Sequence, residues 1–505
     1  MKEIILTTIN AKWIHPSLAL RLLKANLGEL EDSCEIIEFA LRQPLCEKLD
    51  QLHRVFKDDL TDDMPETAST GNNRTRILGI SVSIWNHTAT LELLKELEQS
   101  WQIWQVEKPI IILGGPEVTH LPPAAELFNY ADYIIRGEGE AAFKALCEDL
   151  LCNRHFSRTA DKFICESVNN LNKLKSAYHL YTDEDIAKKL IYVEASRGCP
   201  FSCEFCMSAA DNKVREFPLE KFLNEMDILI QRGVKTFKFL DRSFNVNIKR
   251  ALRIIEFFLD KIKQISDPPR LCENSSSLQL HGNKPRHIVV HFEMVPSVFP
   301  AELRDALTRF PPGTLRLEIG IQTLNEEAAA RIGRPSNPEK ELEALRFLRD
   351  KTNAVIHADL IAGLPGEDLA SFGRGFDRLW DALTNNNRED VNPFEIQLGI
   401  LKLLPGAPIS RHNKTYCMRY NPLPPYEIEE TSSILAADLR RIKNFARFWE
   451  LIINRGLLTM TKTPVFKKFM ELSDNLFIHF GKNWGIDKEK LKNDTINFAK
   501  TLFFN

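Results

Sequence analysis

The run Arg197-Gly198-Cys199-Pro200-Phe201-Ser202-Cys203-Glu204-Phe205-Cys206 organises this chain. Cysteines separated by three residues and then by two, directly after the apolar strand-like run Leu190 to Ala195, can wrap one face of a compact metal centre and leave it one ligand short. Structural zinc is usually closed by four nitrogen or sulfur ligands, and the next histidines, His281 and His287, stand far off in a variable-looking loop. Three cysteines therefore favour a 4Fe-4S cluster with an open iron.

Downstream, strand-like runs recur at Thr236 to Leu240, Ile288 to Glu293, Leu315 to Gly320, Val355 to Ile361 and Glu395 to Leu401, with helical patterns between them. With the run ahead of Cys199 they make six βα units, which predicts a six-stranded (β/α)6 partial TIM barrel with its chemistry at the carboxyl ends of the strands.

The cysteine spacing resembles the signature of the radical S-adenosylmethionine (SAM) superfamily, in which the amino and carboxylate groups of SAM occupy the open iron. Phe205 stands where that family commonly has an aromatic residue near adenine. Asp241 ends the second strand, where the family often has a polar residue near the methionyl amine, and Glu293 in His291-Phe292-Glu293-Met294 matches an acidic residue associated with SAM. After Leu317-Glu318-Ile319-Gly320-Ile321, Gln322 and Arg334 match a spacing in which both contact SAM. His357-Ala358-Asp359-Leu360-Ile361-Ala362-Gly363-Leu364-Pro365-Gly366-Glu367 resembles the fifth-strand motif, with Asp359 toward the ribose and Gly363 admitting adenine. The residue types suit the ligand, since an ammonium and ribose hydroxyls need carboxylates and a carboxylate needs a cation. Taken singly, each is equally a barrel-layer or surface ion pair; the ordered set beside the cysteines points to SAM.

Upstream, from Met1 to about Asn153, apolar runs at Ile4 to Ile9, Ile36 to Phe39, Ile77 to Ile84, Ile110 to Leu113 and Tyr133 to Ile135 read as short buried strands. Leu20, Leu23, Leu27 and Leu30, then Leu91, Leu94, Leu97, Trp101 and Trp104, recur at helical spacing. Repeated βα units predict a doubly wound, Rossmann-like parallel sheet whose ligand crevice lies at the strand carboxyl ends. The candidate contacts stand there: His15 after the first strand, Ser81 and Ser83 after the third, Gly114 and Gly115 after the fourth, Gly137 after the fifth. The set resembles the cobalamin-binding domain that precedes many radical SAM domains. Where cobalamin folds supply an axial histidine they carry DxHxxG, and here Trp13-Ile14-His15-Pro16-Ser17-Leu18 lacks both Asp and Gly. His15 is therefore a cobalt ligand, a residue lining the corrin, or a structural histidine. Cobalamin held without a histidine ligand, and a sheet that holds none, also remain open.

Beyond Pro405-Gly406-Ala407-Pro408 the character changes, and Ile434, Leu435, Leu439, Ile442, Phe445, Trp449, Ile452 and Ile453 form a helical stripe. This quarter resembles a helical domain that follows the barrel in one subgroup of cobalamin-dependent radical SAM proteins; there Tyr426, Arg440, Arg441, Asn444 and Glu450 are candidates to face the substrate. The expected organisation is a cobalamin-binding domain over 1–153, a linker over 154–189, a radical SAM barrel over 190–410 with an insertion at 260–286, and a helical cap over 411–505.

A net charge of -3 and 27% charged residues give no basic surplus for nucleic acid or anionic membrane. No apolar run reaches the roughly 18 residues of a membrane span, the first residues lack a signal-peptide pattern, and ten cysteines are too few for a disulfide scaffold, so a cytoplasmic location is expected. The resemblance implies three cofactors, a 4Fe-4S cluster, SAM and cobalamin, and an electron donor such as flavodoxin or ferredoxin. It further implies methylation of a carbon of an unknown substrate, expected to be a small molecule. Alternatives within it are a cyclase or rearrangement enzyme, a radical SAM enzyme that has lost cobalamin, and a non-catalytic cobalamin or redox sensor.

Overall fold

A computed structural model describes residues 2–57, 75–152, 161–168, 170–210, 213–266, 287–384, 393–458 and 465–503. Cys272, His281 and most of the 260–286 insertion lie outside the described residues. The chain forms two compact units, one built chiefly from the first 193 residues and the other chiefly from those that follow.

In the first unit, strands β1 (Ile4–Asn10), β2 (Cys34–Ala40), β3 (Ile77–Ser81), β4 (Ile110–Gly114), β5 (Tyr133–Gly137) and β6 (Phe163–Glu166) form a sheet in the order β2-β1-β3-β4-β5-β6. All its pairs are parallel. Every residue of β1 is buried, as expected of a strand covered on both faces. Helices α1 (Leu18–Ala25), α2 (Leu45–Lys57), α3 (His87–Trp104), α4 (Pro116–His120) and α5 (Glu140–Cys152) alternate with the strands. Ser17 caps α1 by accepting from the Leu20 amide.

Two details differ from the sequence expectation. The third strand stops at Ser81 because residues 82–86 turn: the Ser83 amide donates to Asn86 Oδ1 at 2.8 Å, and Asn86 Nδ2 donates to the Ile9 carbonyl at 3.0 Å. That buried asparagine ties the ends of β1 and β3 together. Strand β6 falls in the stretch read as a linker; it is short, only partly buried and lacks apolar alternation.

Helix α6 (Asp183–Lys188), closed by a capping box between Thr182 and Asp185, is locked to this unit by a buried network. Arg21 bonds Glu38 at 2.9 Å and Asp185 at 2.7 Å. Strand β7 (Ile191–Val193) and the two-residue strands β8 (Ser196–Arg197) and β9 (Arg215–Glu216) follow, with helix α7 (Leu219–Gln231).

The second sheet adds β10 (Thr236–Phe239), β11 (Val289–Met294), β12 (Leu315–Gln322), β13 (Val355–Ala362) and β14 (Phe394–Ile400), in the order β14-β13-β12-β11-β10-β7. Its registered pairs from β10 to β14 are parallel, as in a βα barrel. Helices α8 (Ile248–Ser266), α9 (Ala301–Thr308), α10 (Glu326–Arg331), α11 (Pro338–Lys351) and α12 (Leu369–Leu383) connect the strands. Along β12 and β13 buried residues alternate with partly exposed ones, because one face packs on helices and the other lines the lumen.

After β14 come a small hairpin, β15 (Arg419–Tyr420) and β16 (Ile428–Glu430), and the helices α13 (Ala436–Ile452), α14 (Val465–Phe480) and α15 (Lys488–Phe503). The apolar stripe of α13 packs into an aromatic core that includes α12. Phe376 meets Trp449 edge-on at 4.8 Å, Phe445 stacks on Trp449 at 5.5 Å, and a Cβ at Gly373 would lie 2.6 Å from the Phe466 ring. Asn454 exchanges hydrogen bonds with both backbone groups of Ile396 and so closes part of the open edge of β14.

Candidate active site and cofactor cradle

Gly198 enters the cysteine loop with φ +88°, and the Cys206 amide donates to the Cys203 carbonyl at 3.0 Å, closing a turn. Cys203 is buried, whereas Cys199 and Cys206 are partly exposed. Burial raises the Cys203 thiol; Arg334 acts in the opposite sense, and Cys206 and Cys199 raise it further, so the three thiols share one electrostatic environment. Among the described residues no three His, Cys, Asp or Glu side chains converge as around a single ion. Ligands to the corners of a cubic cluster need not converge so closely, and three mutually influencing thiols on one turn fit such a group.

Arg334 joins this loop to the fourth barrel strand. It acts on the Cys203 thiol and also donates through Nη2 to the Gly320 carbonyl. Gln322 sits at a bulge in β12 with φ +69°, and its Nε2 lies where a Cβ on Gly320 would come within 2.5 Å. The structure therefore brings Gln322 and Arg334 to one glycine, and Arg334 also reaches the Cys203 thiol. A bulge re-aims a side chain at a strand end.

The carboxylates divide into two kinds. Asp241 is buried and already committed: its Oδ2 accepts from the Ala195 amide at 2.9 Å and its Oδ1 from Ser196 Oγ at 2.5 Å. It anchors the segment that leads into the cysteines. Glu293 and Asp359 face the lumen. Burial pushes Glu293 up to about 7, against the pull of Arg242. Burial, reinforced by Glu318 and then Glu293, pushes Asp359 up to about 8, and its Oδ1 is buried without a partner. Both are poised to ionise when a cation or hydrogen-bond donors arrive.

A polar row lies in the same lumen. Glu318 Oε2 is 3.4 Å from Lys238 Nζ and 3.3 Å from His291 Nε2. His291 stacks on His357 at 5.7 Å, and His357 Nδ1 is 3.2 Å from Gln397 Nε2 and 3.3 Å from Glu395 Oε2. The adjacent His291 ring, with Lys238, holds Glu318 down to about 2, while burial lowers His291. A βα barrel is more often filled by branched apolar side chains, so a polar lumen of this kind suits a polar guest.

At the free edge of β14 lies a cavity of about 530 Å³, lined by Phe205, Ile361, Leu398 to Lys402 and residues of α13 including Lys443, Arg447 and Glu450. Phe205 and Glu450 thus meet the same space. Gly363 has φ +92°, and a Cβ there would strike Ile428 Cγ2 at 2.6 Å, so this glycine answers to the hairpin beside it. Of the other C-terminal candidates, Arg441 is engaged by Asp474 and Asp438, and Asn444 accepts from Asn483.

In the first unit, the strand order changes direction between β1 and β3, the point at which doubly wound sheets open a crevice. Trp13 and Ile14 after β1, and Trp85 after β3, are 48%, 39% and 52% exposed there. Lys189 Nζ stands over the Trp13 ring at 5.2 Å, and the exposed apolar faces at these strand ends suit a broad, flat ligand. A Cβ on Gly114 would make only ordinary contact with the Ile135 carbonyl at 3.8 Å, so this glycine is not forced by its neighbours. Gly115 and Gly137 are required by the chain itself: both have positive φ, and a Cβ would come 2.6 Å from the Val82 carbonyl and 2.3 Å from the Glu166 carbonyl. The Ser81 carbonyl accepts from Thr8, and Ser83 is buried in the turn that Asn86 holds. His15 Nδ1 lies 2.8 Å from the Tyr192 hydroxyl. A buried carboxylate partners His87, whose Nδ1 is 2.8 Å from Glu117 Oε1. The sequence reading missed it because 30 residues separate the pair.

Residues 193–378 match the radical SAM superfamily. The chain is 23% identical over 361 residues to the cobalamin-dependent radical SAM methyltransferase TokK of Streptomyces tokunonensis, covering 67% of this chain and 48% of that protein. It is 23% identical over 381 residues to the 2-(S-pantetheinyl)-carbapenam-3-carboxylate methyltransferase of Streptantibioticus cattleyicolor, covering 70% and 51%. The chain thus spans about half the length of these curated relatives. Among solved structures, the cobalamin-dependent SAM radical enzyme OxsB superposes with a TM-score of 0.61 at 14% identity, over 99% of this chain and 75% of that one. The radical SAM methyltransferase TsrM of Kitasatospora setae gives 0.55 at 17%, over 81% and 74%, and supports the same fold. The chain carries a radical SAM domain and is homologous to the cobalamin-dependent radical SAM methyltransferases.

Proposed function

We propose that this chain is a cobalamin-dependent radical SAM enzyme that methylates a carbon atom of a small-molecule substrate. The observation that carries the reading is the convergence of Gln322 and Arg334 on Gly320, with Arg334 also reaching the Cys203 thiol, beside a lumen that holds Glu293 and the unpartnered buried oxygen of Asp359. Cys199, Cys203 and Cys206 would hold a 4Fe-4S cluster, which when bound supplies the electron that cleaves SAM.

The chain's own residues bind and orient. Arg334 and Gln322 present a cation and an amide to the methionyl carboxylate. Glu293 pairs with the ammonium, and Asp359 accepts from the ribose hydroxyls; each is stabilised as the charged form when those donors arrive. Phe205 offers a ring face to adenine in the cavity at the edge of β14, whose size lies within the roughly 300–1,000 Å³ typical of ligand sites. Asp241 fixes the approach to the cysteines and touches no ligand in this scheme. Glu450, Arg447 and Lys443 of α13 line the remaining wall and are candidates to meet the substrate.

In the first unit, exposed Trp13, Ile14 and Trp85 at the strand ends, beside Gly114, would receive cobalamin, which when bound supplies the methyl carrier. Supporting the reading, the curated relatives named above are methyltransferases. A one-electron donor such as flavodoxin or ferredoxin, and a cytoplasmic setting, accompany it; among the described residues no helix is long and apolar enough to cross a membrane.

The test is anaerobic reconstitution with iron, sulfide and hydroxocobalamin, then incubation with methyl-labelled SAM and a cell extract. Label on a carbon of a product supports methyl transfer. Deoxyadenosine with the label retained on methionine overturns it in favour of cyclisation or rearrangement.

A further inference from the structure

The residue directly after the second cysteine of the loop is held by every polar group it has. Glu204 is 9% exposed. Its amide donates to the Ile332 carbonyl and its carbonyl accepts from the Ile409 amide, both at 3.0 Å. Its Oε2 accepts from Arg411 Nε at 2.8 Å and lies 2.9 Å from His412 Nε2, and its Oε1 accepts from Arg411 Nη2 at 2.5 Å. Arg411 also donates to the Arg331 carbonyl at 3.2 Å. A ligand loop needs only its turn and its thiols, yet this one is gripped from two sides. One is the end of α10, where a Cβ on Gly333 would come 3.1 Å from the Ser202 carbonyl; the other is the short helical turn Pro408–His412.

We propose that Arg411 and His412 are positioning residues for the cysteine loop, acting through Glu204 to fix its shape and to offset the carboxylate charge beside the cluster. The inference rests on the cluster-ligand reading of Cys199, Cys203 and Cys206. Arg411 supplies the positive charge and His412 a hydrogen bond from a buried side. Cluster potentials respond to net charge and to hydrogen bonds near the sulfurs, so a bare carboxylate one residue from Cys203 and two from Cys206 opposes reduction. Because the pair follows β14, the cluster loop is tied to the segment just after the last barrel strand.

The full chain and its Arg411→Gln, His412→Ala, Arg411→Gln/His412→Ala and Glu204→Gln/Arg411→Gln/His412→Ala variants are reconstituted anaerobically with iron and sulfide. Iron per chain, the EPR signal of the reduced cluster and its midpoint potential are measured. Arg411 is 62% exposed, so Arg411→Gln tests the charge without opening the core. Its potential should move to more negative values at unchanged iron content. The double variant should also lose iron, and adding Glu204→Gln to it should return the potential toward the parent's. Variants with the parent's potential, or loss of iron that Glu204→Gln does not relieve together with an unmoved Arg411→Gln potential, overturn the proposal. A parent chain that takes up no cluster overturns instead the reading of the three cysteines.

Discussion

Binding of SAM to the barrel should release protons, and Asp359 should account for most of them. In the free site burial and neighbouring carboxylates push Asp359 up to about 8 and Glu293 up to about 7. At pH 7 a carboxyl with a pKa near 8 is about nine-tenths protonated, and one near 7 about half protonated. An ammonium and two hydroxyl donors favour the ionised forms, so about 1.4 protons leave if both groups ionise. The sign follows: the free protein holds protons that the complex does not, so affinity rises with pH up to about 8 and then levels. Asp359→Asn should reduce the release by about 0.9 proton per chain and flatten the rise between pH 7 and 8. Anaerobic titration calorimetry in two buffers of different ionisation enthalpy measures the protons directly. The difference between parent and variant cancels any titration of SAM itself. Equal release from both proteins refutes the placement of Asp359 at the ligand.

Replacing Arg21 by Ala removes the cation shared by Glu38 and Asp185, leaving Asp185 to Lys189 at 2.8 Å and Glu38 to Asn10 at 3.0 Å, and should cost roughly 1–3 kcal/mol in urea unfolding. Gly115→Ala sets a Cβ 2.6 Å from the Val82 carbonyl at φ +101°; strain alone of roughly 1–3 kcal/mol should lower the melting temperature and reduce cobalamin retained through gel filtration. Trp449→Ala removes a fully buried ring from the core that joins α12 to α13 and should cost about 3–5 kcal/mol by the same urea assay.

The strands were legible because parallel sheets bury apolar runs on both faces, and the motif residues because strand ends carry chemistry. What the sequence hid was mostly long-range. Glu204 lies 207 residues from Arg411 and looks like a spacer in the cysteine motif until the fold brings the two together. Asp241 has the residue type of a ligand but spends its oxygens on Ala195 and Ser196, a choice that only geometry reveals. At Gly363 and Gly115 the sequence does not show that a Cβ would strike Ile428 and the Val82 carbonyl, so that the chain itself demands glycine there. Strand β6 escaped notice because a partly exposed edge strand needs no apolar alternation.

The central claim is that Cys199, Cys203 and Cys206 present an open cluster to SAM. The most direct measurement is deoxyadenosine formed from SAM by the reconstituted, chemically reduced chain, set beside Cys203→Ala. The parent should form deoxyadenosine and the variant none, with SAM perturbing the EPR signal of the parent's cluster. A parent that forms no deoxyadenosine, or a Cys203→Ala chain that forms as much as the parent, contradicts the claim.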